Sequence, residues 1–507
     1  MFLSTVITML AAARTVSLPG GAVSASAPAL DWGGAMPFLL LTGTALGTLA
    51  LDLVVGGRGR FWLTATGLGG LAITGLTLVR GFGAPEAVVG GMLVLDDFAR
   101  FFHVVFLCIA ALTILVAVEY VEQMGIPPGE FYAMILFAVL GMMVMASAAD
   151  LIMVFLGLEA LSIPLYILAG FLRRQVGSNE SALKYLLLGA FASAFLLYGI
   201  ALLYGAAGST RLASVAAHLG DRGAWDNPLV YLGVGLLLVG LAFKVAAVPF
   251  HMWLPDVYEG APTPITAFMI AGTKAAAFAT LLRALGTALL PLPPEWTAPL
   301  WVLALLTMGL GNIAALTQQS IKRMLAYSSI GHAGYLLVAV VAGTSRGYSG
   351  ILFYLVVYAF MNLGAFAVII AVAAPGEERP ALSSVAGLAS RHPALAFCMA
   401  IFMFSLAGIP PTGGFVGKLY IFSAAMEANY VGLALIAVLC SVIAVFFYLR
   451  VVMVMYMEEP REGMPSPALS PGILFTLVLA MAVILQTGIL PGTVWEVAVR
   501  AVERLLG

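Results

Sequence analysis

The stretch LAFKVAAVPFHMWLPDVYEG, residues 241–260, is the most informative one for the fold. It contains the end of an apolar segment, a lysine and a proline that would break a helix. Lys244 follows an apolar run that begins near Leu229, and Pro249 and His251 come a few residues later. Proline removes a backbone donor and breaks or kinks a helix. Ionisable side chains at membrane depth are costly and are functional by default. The stretch therefore predicts an interrupted helix with a functional lysine beside the interruption.

The composition places the whole chain in lipid. Of 507 residues, 62% are hydrophobic and only 9% are charged, whereas a soluble domain is about 25% charged. The net charge of −1 and the lack of a basic block give no indication of nucleic-acid binding. The three cysteines are isolated, and neither GxGxxG nor a P-loop occurs. We therefore predict a membrane protein without a cofactor-binding, metal-binding or catalytic residue of its own.

The apolar windows predict an all-α polytopic fold. Spanning the hydrocarbon core takes about 20 apolar residues. Fourteen such windows lie near residues 35–55, 61–79, 101–120, 131–149, 152–171, 184–204, 229–250, 265–285, 299–317, 325–342, 349–373, 395–425, 431–455 and 471–490. Short connections such as GGRGR (56–60) force neighbouring helices to run antiparallel, which predicts one bundle over residues 35–507. Residues 1–34 are predicted to form an N-terminal extension, either an extra anchor or a signal-like segment.

Two distant segments resemble each other. They are AFKVAAVPFHMWLP (242–255) and LAGIPPTGGFVGKLYIF (406–422), and each is an apolar span interrupted by proline, with a lysine close to the break. Interrupted helices in corresponding places are typical of transporters with inverted repeats, where the breaks mark the ion path. We predict broken helices near residues 229–255 and 395–425, with Pro249, Pro410 and Pro411 at the breaks.

The basic residues divide into two groups. Eighteen of the 23 are arginines, almost all in loops or at span ends, and five are lysines. Lys244, Lys274 and Lys418 are inside spans, Lys184 opens one, and Lys322 is expected in a loop. Arginine stays charged in proteins, whereas a buried lysine can release its proton. The distribution therefore separates fixed charges that set topology from titratable charges in the interior.

Glu159 is the only carboxylate predicted in the middle of a span. A charge at membrane depth costs about 2.5–3.5 kcal/mol on the insertion scale, and an opposite charge nearby offsets that cost. We therefore predict that Glu159 and Lys244 form a pair, with Lys274 as the next site inward. If Glu159 moves away, Lys244 loses its counter-charge and can release its proton.

Simpler interpretations compete for several of these residues. Lys184 is near a span end, where a lysine can extend to the membrane surface. His251 and His332 are each compatible with a hydrogen-bonded core histidine and with a proton relay. The aromatic side chains are interpreted as packing and lipid contacts.

Three segments carry a resemblance to a known family. VPFHMWLPDVYEGAPTPITAF (248–268), QQSIKRMLAYSSIGHAGYLL (318–337) and SLAGIPPTGGFVGKLYIF (405–422) resemble the hallmark segments of the subunit N family of NADH-quinone oxidoreductases, the bacterial counterpart of mitochondrial complex I subunit 2. This family is one of the antiporter-like membrane subunits. The sister subunit M carries a glutamate where Lys418 stands, and the DVYEGAPTP segment also favours subunit N.

The resemblance implies a fold, a location and a set of functional residues. The implied fold has fourteen helices with two inverted five-helix repeats, here about 131–285 and 299–455, in the bacterial plasma membrane. The implied proton-translocation residues are Glu159, Lys184, Lys244, His251, Lys274, His332 and Lys418. The implied partners are other membrane subunits of complex I, including the sister antiporter-like subunits, and lipid. NADH, FMN, iron–sulfur clusters and quinone are expected in other subunits.

Three functions remain open at the level of sequence. The first is a proton-translocating subunit that couples electron transfer, carried out elsewhere in the complex, to proton pumping. The second is a subunit of a cation/proton antiporter of related fold. The third is a structural membrane subunit whose buried charges only fix helix packing.

Overall fold

The computed structural model describes residues 31–56, 59–289, 294–373, 380–460 and 467–506. Residues 1–30 of the predicted N-terminal extension lie outside the described residues. The first half contains α1 (Trp32–Val55), α2 (Arg60–Arg80), α3 (Asp97–Gln123), α4 (Pro128–Ser147), α5 (Leu151–Ala169), α6 (Val176–Ala207), α7 (Leu212–Leu219), α8 (Pro228–Val245), α9 (Trp253–Gly260) and α10 (Thr263–Leu289). The second half contains α11 (Pro294–Leu316), α12 (Ile321–Ala342), α13 (Ser345–Val372), α14 (Leu388–Arg391), α15 (Pro393–Ala407), α16 (Gly413–Glu427), α17 (Val431–Met457), α18 (Pro471–Ile489) and α19 (Gly492–Leu506).

The all-α membrane fold predicted from the sequence is confirmed. In the part of the chain that the structure describes, 13 helices are long and apolar enough to cross a membrane. The remaining predicted window, 395–425, is divided between α15 and α16. One small element was not predicted, an antiparallel hairpin of β1 (Ala87–Val89) and β2 (Leu93–Leu95). Its strands have three residues each, which is too short for a periodic pattern to be recognised in the sequence.

The first predicted break lies between α8 and α9. Helix α8 ends at Val245, and Ala246 adopts a left-handed conformation with φ of 60°. The chain then runs through Pro249 without forming a helix until Trp253. The indole Nε1 of Trp253 donates to the carbonyl of Phe243 at 3.1 Å. The same carbonyl also accepts from the backbone N–H of Ala246 at 3.0 Å, so a tryptophan from the second half-helix adds a second donor at the end of the first half-helix.

The second predicted break lies between α15 and α16. Helix α15 ends at Ala407, Gly408 has a φ of 86°, and Pro410 and Pro411 precede the start of α16. The two half-helices approach closely, because a Cβ atom at Gly414 would lie 1.9 Å from the carbonyl oxygen of Ser405. Glycine is therefore required at position 414 for the half-helices to meet.

The half-helices α9 and α16 end at opposite ends of the bundle. Arg323, in the first turn of α12, pairs with Asp256 at 2.7 Å and Glu259 at 2.9 Å, both on α9. Arg346 lies just beyond the other end of α12 and pairs with Glu427, the last residue of α16. A helix of 22 residues separates these two arginines by about 33 Å. This arrangement agrees with two inverted repeats, whose limits of 131–285 and 299–455 remain a prediction.

Three helices form the interior of the bundle. The most apolar stretches of α10, α12 and α13 are 100%, 94% and 83% buried, against 17% for α1. A buried ion pair fixes one end of α10, since Arg283 contacts Asp96 through two hydrogen bonds of 2.5 and 2.8 Å. Arg283 also donates to the carbonyl of Ala146 on α4. Lys274 and His332 are therefore carried by helices that have little freedom to shift sideways.

Candidate proton-transfer site

The structure separates the seven candidate residues into an interior group and a peripheral group. Lys244, Lys274, His332 and Lys418 are buried, with side chains no more than 4% exposed. Glu159 and His251 are half-buried. Lys184 is 40% exposed. Basic residues enclosed in this way exchange protons only through the few groups that contact them.

The ammonium of Lys244 lies between α5 and α6. Its Nζ donates to the hydroxyl of Ser162 at 2.7 Å and to that of Tyr185 at 3.3 Å. Ser162 in turn donates to the carbonyl of Leu158 at 2.5 Å, which leaves its oxygen facing the lysine. The ammonium also lies 5.4 Å from the centre of the Tyr185 ring. Neutral oxygens therefore make the direct contacts of Lys244.

Glu159 is close to Lys244 without forming an ion pair. It lies three residues before Ser162 on α5 and accepts a short hydrogen bond from Ser193 of α6. Among the described residues, no nitrogen and oxygen atoms of these two side chains come within 4.0 Å. Glu159 nevertheless acts on Lys244 through its charge. The predicted pair is thus not a direct ion pair, and the shortest hydrogen bond of Lys244 is made to Ser162 instead.

Lys274 lies at the centre of the bundle on α10. It directly follows a π-helical segment, Met269–Thr273, and such segments are frequent at functional sites. Its Nζ donates to the carbonyl of Ser329 on α12 and lies 5.2 Å from the centre of the Tyr358 ring. Tyr258 is hydrogen-bonded to Thr273, the neighbour of Lys274, and its ring packs against Trp253, which stacks on Tyr185, a partner of Lys244.

His332 lies one turn after Ser329, the partner of Lys274, and packs against Tyr335, whose ring centre is 5.1 Å from Nζ of Lys418. Its Nδ1 is 2.6 Å from the hydroxyl of Tyr354, and its Nε2 is 2.8 Å from the hydroxyl of Tyr448. The imidazole therefore has a phenol at each nitrogen. The sequence left two interpretations open for His332, a satisfied core histidine and a relay, and this geometry is compatible with both.

Lys418 is held by the end of a helix. Its Nζ donates to the carbonyls of Leu406 at 3.0 Å and Ala407 at 2.9 Å, the last two residues of α15. A third bond of 2.9 Å goes to the hydroxyl of Ser441 on α17. Unpaired carbonyls give a helix C-terminus a partial negative charge that stabilises a cation. The break after Ala407 thus creates the binding site of the ammonium group.

The remaining two candidates lie away from this interior group. Lys184 bonds Asp256 and Glu180, each at 2.6 Å, and Asp256 also bonds Arg323. This partly exposed ion network agrees with the interpretation that Lys184 extends to the membrane surface. His251 lies in the first break, two residues after Pro249. Within the described ranges, neither His251 nor Lys184 makes a hydrogen bond to the buried lysines or to His332.

The expectation about Lys322 was wrong. Lys322 was expected in a loop, but it is buried in the first turn of α12 and donates to the carbonyl of Ala261 at 2.7 Å. Ala261 is the C-cap of α9, whose carbonyls attract a cation. The aromatic side chains were interpreted as packing and lipid contacts, and tyrosines in addition contact all four buried candidates, Lys244, Lys274, His332 and Lys418. Their hydroxyls come from helices far apart in sequence, and no local pattern indicates these contacts.

Comparison with known proteins identifies relatives of this chain. Residues 148–444 match the family model described as "NADH:quinone oxidoreductase/Mrp antiporter, TM". NADH-quinone oxidoreductase subunit N of Trichlorobacter lovleyi is 47% identical over 468 residues, which cover 92% of this chain and 96% of that protein. Subunit N of Chloroflexus aggregans is 47% identical over 488 residues, or 96% of this chain and 100% of that protein. A chain of respiratory complex I from Thermus thermophilus is 37% identical with a TM-score of 0.79, over 91% of this chain and 99% of that one.

Proposed function

Because this chain belongs to the subunit N family of NADH-quinone oxidoreductases, we propose that it moves protons through the bilayer interior along Glu159, Lys244, Lys274, His332 and Lys418. The observation that carries the proposal is the enclosure of four basic side chains at the centre of a membrane bundle. Each has polar partners on neighbouring helices, so each can exchange a proton without reaching bulk water. A role in packing alone would not require lysine, since arginine forms the buried ion pair with Asp96.

The lysines supply the chemistry of this path. A buried lysine can exist with or without its proton, because desolvation disfavours the ammonium while hydrogen-bond acceptors and nearby carboxylates favour it. Both kinds of group that favour the ammonium form are present at Lys244. The hydroxyl oxygens of Ser162 and Tyr185 accept its hydrogen bonds, and Glu159 supplies a negative charge. A shift of α5 relative to α8 would change the distance from Glu159 to Lys244. The proton on Lys244 would then pass towards Tyr258 and Lys274.

We place the two peripheral candidates, Lys184 and His251, at the end of the proposed proton path. The network of Lys184, Asp256 and Arg323 is partly exposed and lies where α9 ends. We assign it to the exchange of protons with water at that end of the bundle. His251, in the break itself, is assigned to the transfer between water and the buried lysines.

The chain works as one membrane subunit of a larger enzyme. It is a multi-pass protein of the bacterial plasma membrane, and it assembles with related antiporter-like subunits in an NADH-quinone oxidoreductase. In this proposal NADH oxidation, the FMN and iron–sulfur clusters, and quinone reduction belong to other subunits. No three histidine, cysteine, aspartate or glutamate side chains are placed to hold a metal ion in the described segments. Kinship at 47% identity to subunit N favours this function over a cation/proton antiporter.

The experiment that tests the proposal replaces the central lysine, Lys274→Met, in the assembled complex. Membrane vesicles containing the variant are assayed for NADH-to-quinone electron transfer and for proton uptake in the same sample. We expect both to fall by at least about tenfold, because loss of a positioned proton-transfer group typically costs 10²–10⁴-fold. Arg500→Met removes an exposed charge on α19 and serves as the control. Unchanged proton uptake in an assembled Lys274→Met complex would contradict the proposal.

A further inference from the structure

Two neighbouring cavities lie at one end of the bundle, where α4 begins and α5 connects to α6. The first has a volume of about 630 Å³, and its lining includes Glu130 of α4, Phe171 and the consecutive arginines Arg173 and Arg174. The second has a volume of about 370 Å³ and lies between α1, α4, α5 and α6. Glu130, Phe171 and Arg173 line both cavities. The two cavities therefore form one continuous site, with a polar part and an apolar groove.

The polar part carries an excess of positive charge. Arg173 and Arg174 are exposed, and among the described residues neither guanidinium forms an ion pair or a hydrogen bond. Glu130 supplies one negative charge against these two positive charges, which leaves a net charge of +1. Guanidinium groups bind phosphate oxygens through paired N–H donors. The polar part therefore suits a group with a single phosphodiester charge.

The apolar groove reaches from the helix ends a short way into the bilayer. Leu49, Met134 and Ala182 line it, and each lies six residues from the end of its helix, α1, α4 and α6 respectively. At about 1.5 Å per residue this corresponds to a depth of about 9 Å, whereas the hydrocarbon core is about 30 Å thick. A transmembrane helix of a partner would require a groove along the whole thickness. The depth fits the glycerol backbone and the first methylene groups of a phospholipid.

Contacts with the protein interior hold the walls of the groove in place. The ring of Tyr166 packs edge-on against Tyr185 with centroids 4.8 Å apart, and its hydroxyl is hydrogen-bonded to Ser162. Phe171 packs edge-on against Phe131 with centroids 5.5 Å apart. Both aromatic walls are therefore fixed before a ligand arrives, and such preorganisation reduces the cost of binding.

We propose that this site binds a phospholipid whose headgroup has a net charge of −1, with its phosphate on Arg173 and Arg174 and its upper acyl chain in the groove beside Ile167. Basic pockets between membrane helices are a known means of holding lipid headgroups. The helices that form the groove are apolar and long enough to span a membrane, so phospholipid surrounds the site there. The site is separate from the proposed proton path, and the failure of either leaves the other intact.

The charge requirement is tested by native mass spectrometry of the full chain in detergent, with phosphatidylglycerol or phosphatidylcholine of the same acyl chains added. We expect the unsubstituted chain to bind phosphatidylglycerol at least about tenfold more tightly, and Arg173→Gln combined with Arg174→Gln to remove this preference. Arg174→Gln alone serves if the double variant does not fold. Arg391→Gln is the control, since Arg391 is exposed and lines neither cavity. Equal binding of the two lipids by the unsubstituted chain, or an unchanged preference in the arginine variants, overturns the proposal.

The groove is tested by filling it. Ile167 lines the groove and is 48% exposed, so Ile167→Trp fills the groove without entering the core. Ile163→Trp is the matched control, because Ile163 is 53% exposed on the same helix and lines neither cavity. We expect Ile167→Trp to lose bound phosphatidylglycerol and Ile163→Trp to keep it. Equal binding by the two tryptophan variants overturns the proposal, since it would indicate a phosphate held by the arginines alone.

The assembled complex provides the last arm of the test. We expect the purified complex to retain phosphatidylglycerol when the membrane contains it, and the complex with Ile167→Trp to retain one molecule fewer per copy of this chain. A complex that retains the same number with and without the substitution means that a partner subunit covers the groove. That result overturns the proposal.

Discussion

The two broken helices differ in whether their lysine comes before or after the break. Lys244 precedes Pro249 on the last turn of its half-helix, and its ammonium turns sideways to side chains of α5 and α6. Lys418 follows the break, and its ammonium turns back to the carbonyls that the break exposes. Lys244 has a carboxylate, Glu159, within electrostatic range. Lys418 forms no ion pair among the described residues.

This difference gives the two lysines different tasks. The partners of Lys244 are side chains on separate helices, which can move relative to one another. The partners of Lys418 are mostly backbone groups at a helix end, whose positions are set by the fold itself. We infer that Lys244 is the site whose affinity for a proton is switched, and that Lys418 is the site whose affinity is constant.

The largest expected effect is on the glycine that forms the second site. Gly408→Ala puts a side chain at a φ of 86° and a Cβ atom 3.0 Å from Cδ of Lys418. We expect a loss of stability of about 1–3 kcal/mol, measured as a lower midpoint of thermal unfolding. Ala246→Gly, at the corresponding left-handed position of the first break, should instead be neutral or stabilising. Equal destabilisation by both changes would show that the two breaks are built alike.

Removal of the carboxylate should affect only the first site. In Glu159→Gln the shape of the side chain is kept and the charge near Lys244 is lost. We expect proton uptake to fall about tenfold, which corresponds to about 1.4 kcal/mol. Glu427→Gln, at the far end of α16, is the control and should leave uptake unchanged. If Glu159→Gln pumps normally, Lys244 is not controlled by a counter-charge.

The hydroxyl partners of the two lysines provide a smaller test. Each of Ser162→Ala and Ser441→Ala removes one hydrogen bond that a hydroxyl accepts from the lysine ammonium. Lys418 keeps two carbonyl acceptors after the loss of Ser441, whereas Lys244 keeps only the 3.3 Å contact with Tyr185. Proton uptake should therefore decline more in Ser162→Ala. The opposite order would contradict the difference between a movable and a fixed partner set.

The ion pairs at the ends of the half-helices should matter least. Asp256→Asn removes the carboxylate that joins α9 to Lys184 and Arg323, whose side chains are 40% and 29% exposed. Partly exposed pairs contribute about 0.2–1 kcal/mol and are screened by salt. We expect a small decrease in the unfolding midpoint at low salt that disappears near 1 M salt. A decrease that persists at high salt would mark this network as part of the buried core.

Much of the fold follows from the sequence, because it depends on patterns that are local. Long apolar windows and prolines specify the helices and both breaks, and the structure confirms them at Pro249 and at Pro410 and Pro411. The buried positions of Lys244, Lys274 and Lys418 follow from their place inside those windows. The sequence indicated that Glu159 lies near Lys244 only through the argument that a buried charge needs an opposite charge nearby.

The contacts that surround the charges could not be predicted, because they join distant parts of the chain. Tyr448 meets His332 across 116 residues, and Lys244 meets Ser162 across 82. The carbonyl groups that bind Lys418 are exposed by the geometry of the break. A proline predicts that a break occurs but not which carbonyls it exposes. Lys322 was expected in a loop, but its ammonium donates to the carbonyl of Ala261 at the end of α9 and the residue is buried.

The switch at the first break is tested most directly by Lys244→Ala in membrane vesicles. NADH-to-quinone electron transfer and proton uptake are recorded on the same sample, with assembly checked by copurification of the other subunits. The account predicts that both activities fall together while the complex stays assembled. If electron transfer continues and proton uptake is unchanged, Lys244 is structural and the assignment of the switch is wrong.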